Sequence, residues 1–123
     1  MENDLRIKSY KDLIVWQRSI ELVVAVYALT DGYPKTEIFG LISQMRRAAV
    51  SIPSNIAEGK SRGTQKDYRN FIITAFASGS ELETQIIISK RLFFGKNLDF
   101  TKADSLLNEV MRMLCVLIRN LTT

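Results

Sequence analysis

The 123-residue chain contains no histidine and one cysteine, Cys115. Cys/His zinc sites, histidine-ligated haem, Ser-His-Asp triads and Cys-His dyads are thereby excluded. Proline is almost as scarce, with only Pro34 and Pro53, which argues against a Pro-rich, collagenous or disordered chain. Long apolar runs are missing too. The longest, residues 22–29, is far short of the ~20 residues of a membrane span, so no membrane segment is expected. The first residues, Met1-Glu2-Asn3-Asp4, are acidic where a signal peptide is basic. With one unpaired cysteine, this points to the cytoplasm.

Catalytic motifs are also missing. There is no GxGxxG, no phosphate loop with Gly-Lys-Ser/Thr and no EF-hand ligand run. The di-iron sites of four-helix proteins need a Glu-x-x-His motif, which a chain without histidine cannot supply. Glu81 and Glu83 stand two apart and do not face each other on a helix. The expectation is a protein that binds or assembles and is not an enzyme, with no catalytic residue, metal or cofactor.

What is present reads as one all-α domain. Apolar residues make up 46% of the chain and charged residues 24%, enough for a single core and too few residues for two ordinary domains. Apolar positions recur every three or four residues: Leu13, Trp16, Ile20, Val23 and Tyr27, then Ile38, Leu41, Met45, Ala48, Ile52 and Ile56. A third series is Tyr68, Phe71, Ala75, Leu82 and Ile86, and a fourth Ala103, Leu107, Val110, Leu114, Leu117 and Leu121. Cys115 falls on the apolar face of the last series, which reads as an inert, packed thiol. Capping pairs, Ser9 with Asp12, Thr64 with Asp67 and Thr101 with Asp104, precede three of the series. Gly32, Gly59, Gly63 and Gly95 sit in the intervening segments, where glycine ends helices in the left-handed conformation. Helices are expected over about 10–30, 35–59, 64–94 and 99–121. The connections are short, so neighbours should run antiparallel as an up-down-up-down four-helix bundle. Residues 1–9 form a short N-terminal extension and 10–123 the domain.

The third segment is apolar on more than one side, and a helix of that kind is buried on more than one side. A homo-oligomer is the expected second cover, with Ile73, Ile87, Ile88 and Phe94 at the subunit interface. The net charge is +4, and all of it comes from residues 46–69. Arg46, Arg47, Lys60, Arg62, Lys66 and Arg69 there face only Glu58 and Asp67. Such a segment suits a polyanion partner, or is simply a solvated basic surface. By helical register Arg46 and Arg47 point away from the core. Only Tyr68 among the aromatics is interleaved with these bases, so backbone recognition of RNA or DNA fits better than base recognition.

On the second helix Glu37, Gln44, Ser51 and Glu58 recur every seven residues as one polar stripe, read either as a shared hydrogen-bonding surface or as an ordinary polar flank. Glu58 lies in the last turn, where its charge opposes the helix dipole, so a partner from an arginine or a loop amide is expected. Pro53 lacks an amide hydrogen, and Ser51, Ser54 and Asn55 can bond the backbone groups it frees.

The segment Gly40-Leu41-Ile42-Ser43-Gln44-Met45-Arg46-Arg47-Ala48-Ala49-Val50-Ser51-Ile52-Pro53-Ser54-Asn55-Ile56-Ala57-Glu58-Gly59 resembles the signature of the 23S ribosomal RNA intervening-sequence four-helix-bundle proteins. Leu13-Ile14-Val15-Trp16-Gln17 resembles that family's opening motif, and Tyr33-Pro34-Lys35-Thr36-Glu37 its lead into the second helix. Phe71 through Ala75, with Gly79-Ser80-Glu81-Leu82-Glu83, resembles its third helix, and Thr64 stands where members often place serine. The resemblance runs from about Tyr10 to Leu121. It implies ring-shaped homopentamers of four-helix subunits. The similar accessory protein of diversity-generating retroelements is a basic pentamer that binds nucleic acid and a reverse transcriptase. Arg46, Arg47 and the polar positions Glu37, Gln44, Ser51, Asn55 and Glu58 belong to the signature, without an assigned role for each. Two readings stay open: a nucleic-acid-binding oligomer, or an assembly or adaptor module whose partner is another protein.

Overall fold

A computed structural model describes residues 9–121; the expected N-terminal extension, apart from Ser9, lies outside the described residues. Among these the fold is all-helical, with four α-helices and no strand. They are α1 (Ile14–Thr30), α2 (Leu41–Ser61), α3 (Gln65–Arg91) and α4 (Thr101–Asn120), with 3-10 turns at Tyr10–Asp12, Lys35–Glu37 and Phe93–Asn97. α1 packs on α2 and α4, and α3 packs on α2 and α4.

The helix starts follow local chemistry that differs from the expectation in three places. Ser9 and Asp12 do form a capping box, yet it closes the 3-10 turn, and extended Leu13 separates that turn from α1. α2 begins at Leu41, not at residue 35. Glu37 stands before the helix, where its Oε1 accepts from the Leu41 amide at 3.2 Å, and so drops out of the heptad stripe. α4 is not capped by Thr101. Its first amide, that of Thr101, donates to Asp99 Oδ1 at 2.9 Å, while Asp104 is drawn to Lys90 Nζ at 2.6 Å. The hydrogen bond from Thr101 holds the Asp99 carboxyl below its ordinary pKa. Thr64 caps α3 as expected, accepting from the Asp67 amide at 3.1 Å.

The core contains Leu22, Val26, Met45, Ile52, Ile56, Ile72, Leu82, Ile86, Val110 and Leu114, all fully or almost fully buried. The periodic positions of α2, α3 and α4 are mostly inside, but α1 is rotated from the expected face. It buries Val15, Leu22, Ala25, Val26 and Leu29 and leaves Ile20 and Tyr27 exposed. This helix is apolar nearly all the way round, so spacing alone does not select one side. Cys115 also departs from expectation. It is exposed, one position beyond the inward Leu114.

Glycine acts by its missing side chain more than by its backbone freedom. Among the described residues, Gly63, between α2 and α3, alone has a positive φ, of 96°. Gly59 is buried within α2, and an added Cβ there would lie 2.7 Å from Phe71 Cβ and 3.3 Å from the Tyr68 carbonyl. Its absence lets α2 and α3 approach. Gly79 makes the same room on α3 for Met111 of α4.

Helix α3 is long and apolar enough to cross a membrane by length and composition alone, although polar residues interrupt its apolar stretches, and one third of its most apolar stretch is buried here. The remainder includes Ile73, Ile87 and Ile88, which are 40%, 49% and 45% exposed. Phe94, expected beside them, instead turns inward onto the Tyr33 ring at 4.8 Å between centroids. Its neighbour Phe93 is the exposed one, at 85%.

Candidate nucleic-acid interface

The six bases expected to act together fall into two groups. Arg46 and Lys60 are fourteen positions apart on α2, a separation of about 21 Å along the axis at 1.5 Å per residue. Lys60, Arg62, Lys66 and Arg69 converge where α2 ends and α3 begins. Arg46 and Arg47 sit far up the helix, beside α1.

Arg46 does not point away from the protein. Its Nε donates to Thr30 Oγ1 at 2.9 Å, its Nη2 lies 3.2 Å from Asp31 Oδ1, and its guanidinium stacks 4.3 Å from the centre of the Tyr27 ring. Thr30 is buried and passes its own hydroxyl hydrogen to the Val26 carbonyl at 2.8 Å. The side chain therefore ties α2 to the end of α1, which helical register alone did not reveal. Arg47 is exposed and lines the clefts on both sides of α2.

At the α2–α3 junction each base has a different degree of freedom. Arg62 pairs with Glu58 at 2.9 Å and lies 4.9 Å over the Phe71 ring. The hydrogen bond to Glu58 raises the arginine pKa further. This is the partner expected for Glu58. Arg69 Nε donates to the Ile118 carbonyl at 3.1 Å, so it caps the last turn of α4. Lys60 Nζ rests 5.2 Å over the Tyr68 ring, and Lys66 extends from the first turn of α3 into solvent. Tyr68 itself is buried and offers no face to a base.

Two further bases reach this end from distant parts of the sequence. Arg119 follows Ile118 in the last turn of α4, and Lys11 lies in the turn before α1 that packs on α2. Both were missed because each lies outside the contiguous basic segment. Among the described residues, Lys11, Lys60, Arg62, Lys66, Arg69 and Arg119 share this end with Asp12, Glu58 and Asp67. Six bases against three acids leave it positive at neutral pH. Cations gathered at one end, with Lys60 and Lys66 making no ion pair among the described residues, suit a polyanion backbone.

The polar stripe of α2 has a separate place. Ser51 Oγ lies 2.8 Å from Ser78 Oγ of α3, and Asn55 Nδ2 donates both to Ser51 Oγ at 2.9 Å and to the Ser51 carbonyl at 2.8 Å. Gln44 is exposed about two turns before Ser51. No group of three or more Cys, Asp or Glu side chains able to hold a metal occurs among the described residues.

Among curated proteins none matches the chain. A family model described as 23S rRNA-intervening sequence protein matches residues 11–116. That span takes in all of α1, α2 and α3 and most of α4, and with it Arg46, Arg47, Lys60, Arg62, Lys66, Arg69 and the Ser51–Ser78 seam. On that match the chain belongs to the 23S rRNA-intervening sequence protein family.

Proposed function

We propose that the protein is a non-enzymatic, cytoplasmic, homo-oligomeric binder of RNA or DNA, a pentamer by family resemblance, that holds the phosphate backbone at the α2–α3 end of each subunit. The convergence of Lys60, Arg62, Lys66 and Arg69 with Arg119 carries this reading. Each subunit is an antiparallel up-down-up-down bundle. In support, the contacts Met45–Ser89, Ser51–Ser78 and Gly59–Phe71 run in opposite senses along α2 and α3. The self-association is supported by Ile73, Ile87 and Ile88, an apolar face on α3 that its own subunit leaves open. Repeating one weak backbone contact around an oligomer raises affinity through effective concentration.

The test is a titration of the protein, freed of co-purified nucleic acid, into labelled structured RNA and duplex DNA at several salt concentrations. On duplex DNA the logarithm of affinity falls with that of salt by ~0.9 per neutralised phosphate. The paired change Lys60→Glu and Lys66→Glu weakens binding to all sequences and reduces the slope by about one for each base removed. Absence of binding at ~50 mM salt, where such contacts are strongest, overturns the reading and leaves a protein partner. Light scattering is expected to return a multiple of 14.0 kDa; the monomer mass overturns the oligomer.

A further inference from the structure

Between α2 and α3, away from the basic end, lies an open cleft of about 470 Å³ with an unusual lining for a helix seam. Its walls carry opposite charges. Arg47 stands on α2 and Glu81 on α3, both exposed, and neither makes an ion pair among the described residues. The floor is the Ser51–Ser78 pair. Two hydroxyls supply two hydrogens, and the bond between them uses one. Asn55 already donates to Ser51 Oγ, so whichever serine donates to the other, one hydroxyl hydrogen remains for a ligand. Gln44 adds an amide, which both donates and accepts. Phe39 stands at the rim, 93% exposed, an aromatic face with nothing of its own chain upon it.

We propose that this cleft receives an unpaired guanine base. Arginine is donor-only and carboxylate acceptor-only, so an occupant must show a pair of acceptors to Arg47 and donors to Glu81. Guanine presents both on one flat ring: N7 and O6 accept a bidentate arginine, while N1–H and the N2 amino group donate to a carboxylate. Adenine, cytosine and uracil each lack one of these pairs. Unpaired bases in RNA are read on these edges while stacked on aromatic side chains, which is the part Phe39 is placed to play. The inference rests on the proposed nucleic-acid function and adds base selectivity, a property the buried Tyr68 could not provide.

The experiment measures affinity for a uridine dodecamer carrying one central guanosine, adenosine or inosine. Guanosine is expected to bind more tightly than adenosine by about tenfold or more, the discrimination that one bidentate base contact supplies. Inosine, which lacks the N2 amino group, loses a large part of that preference. Glu81→Gln abolishes the preference and keeps the salt slope, whereas the Lys60→Glu and Lys66→Glu pair lowers all three affinities together and keeps the preference. Equal affinity for guanosine and adenosine overturns the guanine cleft and leaves the backbone reading standing. Absence of salt-dependent binding by any of the three overturns both.

Discussion

The Tyr68 hydroxyl is buried and has no hydrogen-bond partner among the described residues. A polar group left dry in this way costs ~1–3 kcal/mol, so Tyr68→Phe is expected to stabilise the protein by about 1 kcal/mol, read as a rise in melting temperature. Burial also pushes the pKa of Tyr68, and that of Tyr33, above the ordinary tyrosine value. Titration of these side chains takes nothing from stability below about pH 10, where the unfolded side chain begins to ionise, and stability then falls as pH rises through the higher folded value. Thermal melts across the alkaline range should therefore fall less steeply for Tyr68→Phe than for the natural chain. Gly59 gives the opposite sign. Gly59→Ala places a carbon 2.7 Å from Phe71 Cβ, and overpacking of this kind costs ~1–3 kcal/mol, measurable as a lower urea midpoint with an unchanged slope. The sequence marked Gly59 as a helix end, because a glycine needed for positive φ and one needed for close approach look the same there.

At the scale of helices, Arg46 shows why two adjacent arginines need separate treatment. Arg46→Ala removes the stack on Tyr27 and the bond to Thr30, and should destabilise the fold by ~1–3 kcal/mol while leaving the salt slope of nucleic-acid binding unchanged. Arg47→Ala, on the exposed side, should stay within ~0.5 kcal/mol of the natural chain. Denaturant melts of the two variants, beside the binding titration, separate the roles. Helical register placed both outside, since it reports direction around an axis and not the reach of a long side chain to the next helix. The four helices themselves were legible from period and capping. Their starts were less so at Leu41 and Thr101, where a carboxylate just before the helix, Glu37 or Asp99, takes an amide of the first turn. The face of α1 could not be chosen because Ile14, Val15, Val23 and Val24 offer apolar surface in every direction.

Over the whole molecule, the basic end was half legible. Lys60, Arg62, Lys66 and Arg69 are neighbours in sequence and remain neighbours in space, whereas Arg119 joins them only through the contact of Arg69 with Ile118. Charge reversal at Arg119 is therefore expected to weaken backbone binding about as much as reversal at Lys66, in the same titration at fixed salt. The guanine cleft was legible only in part. Gln44 and Ser51 stood out by spacing, but Phe39, Ser78 and Glu81 come to them through tertiary packing.

The link between α2 and α3 spans only residues 62–64, and its shortness has a consequence for time as well as shape. Closing so small a loop costs little chain entropy, and contacts between nearby segments form early in folding. The α2–α3 pair is thus the natural nucleus, with α1 and α4 docking afterwards. In stopped-flow measurements, Ile52→Val and Ile72→Val should chiefly slow refolding, while Leu114→Ala should chiefly speed unfolding.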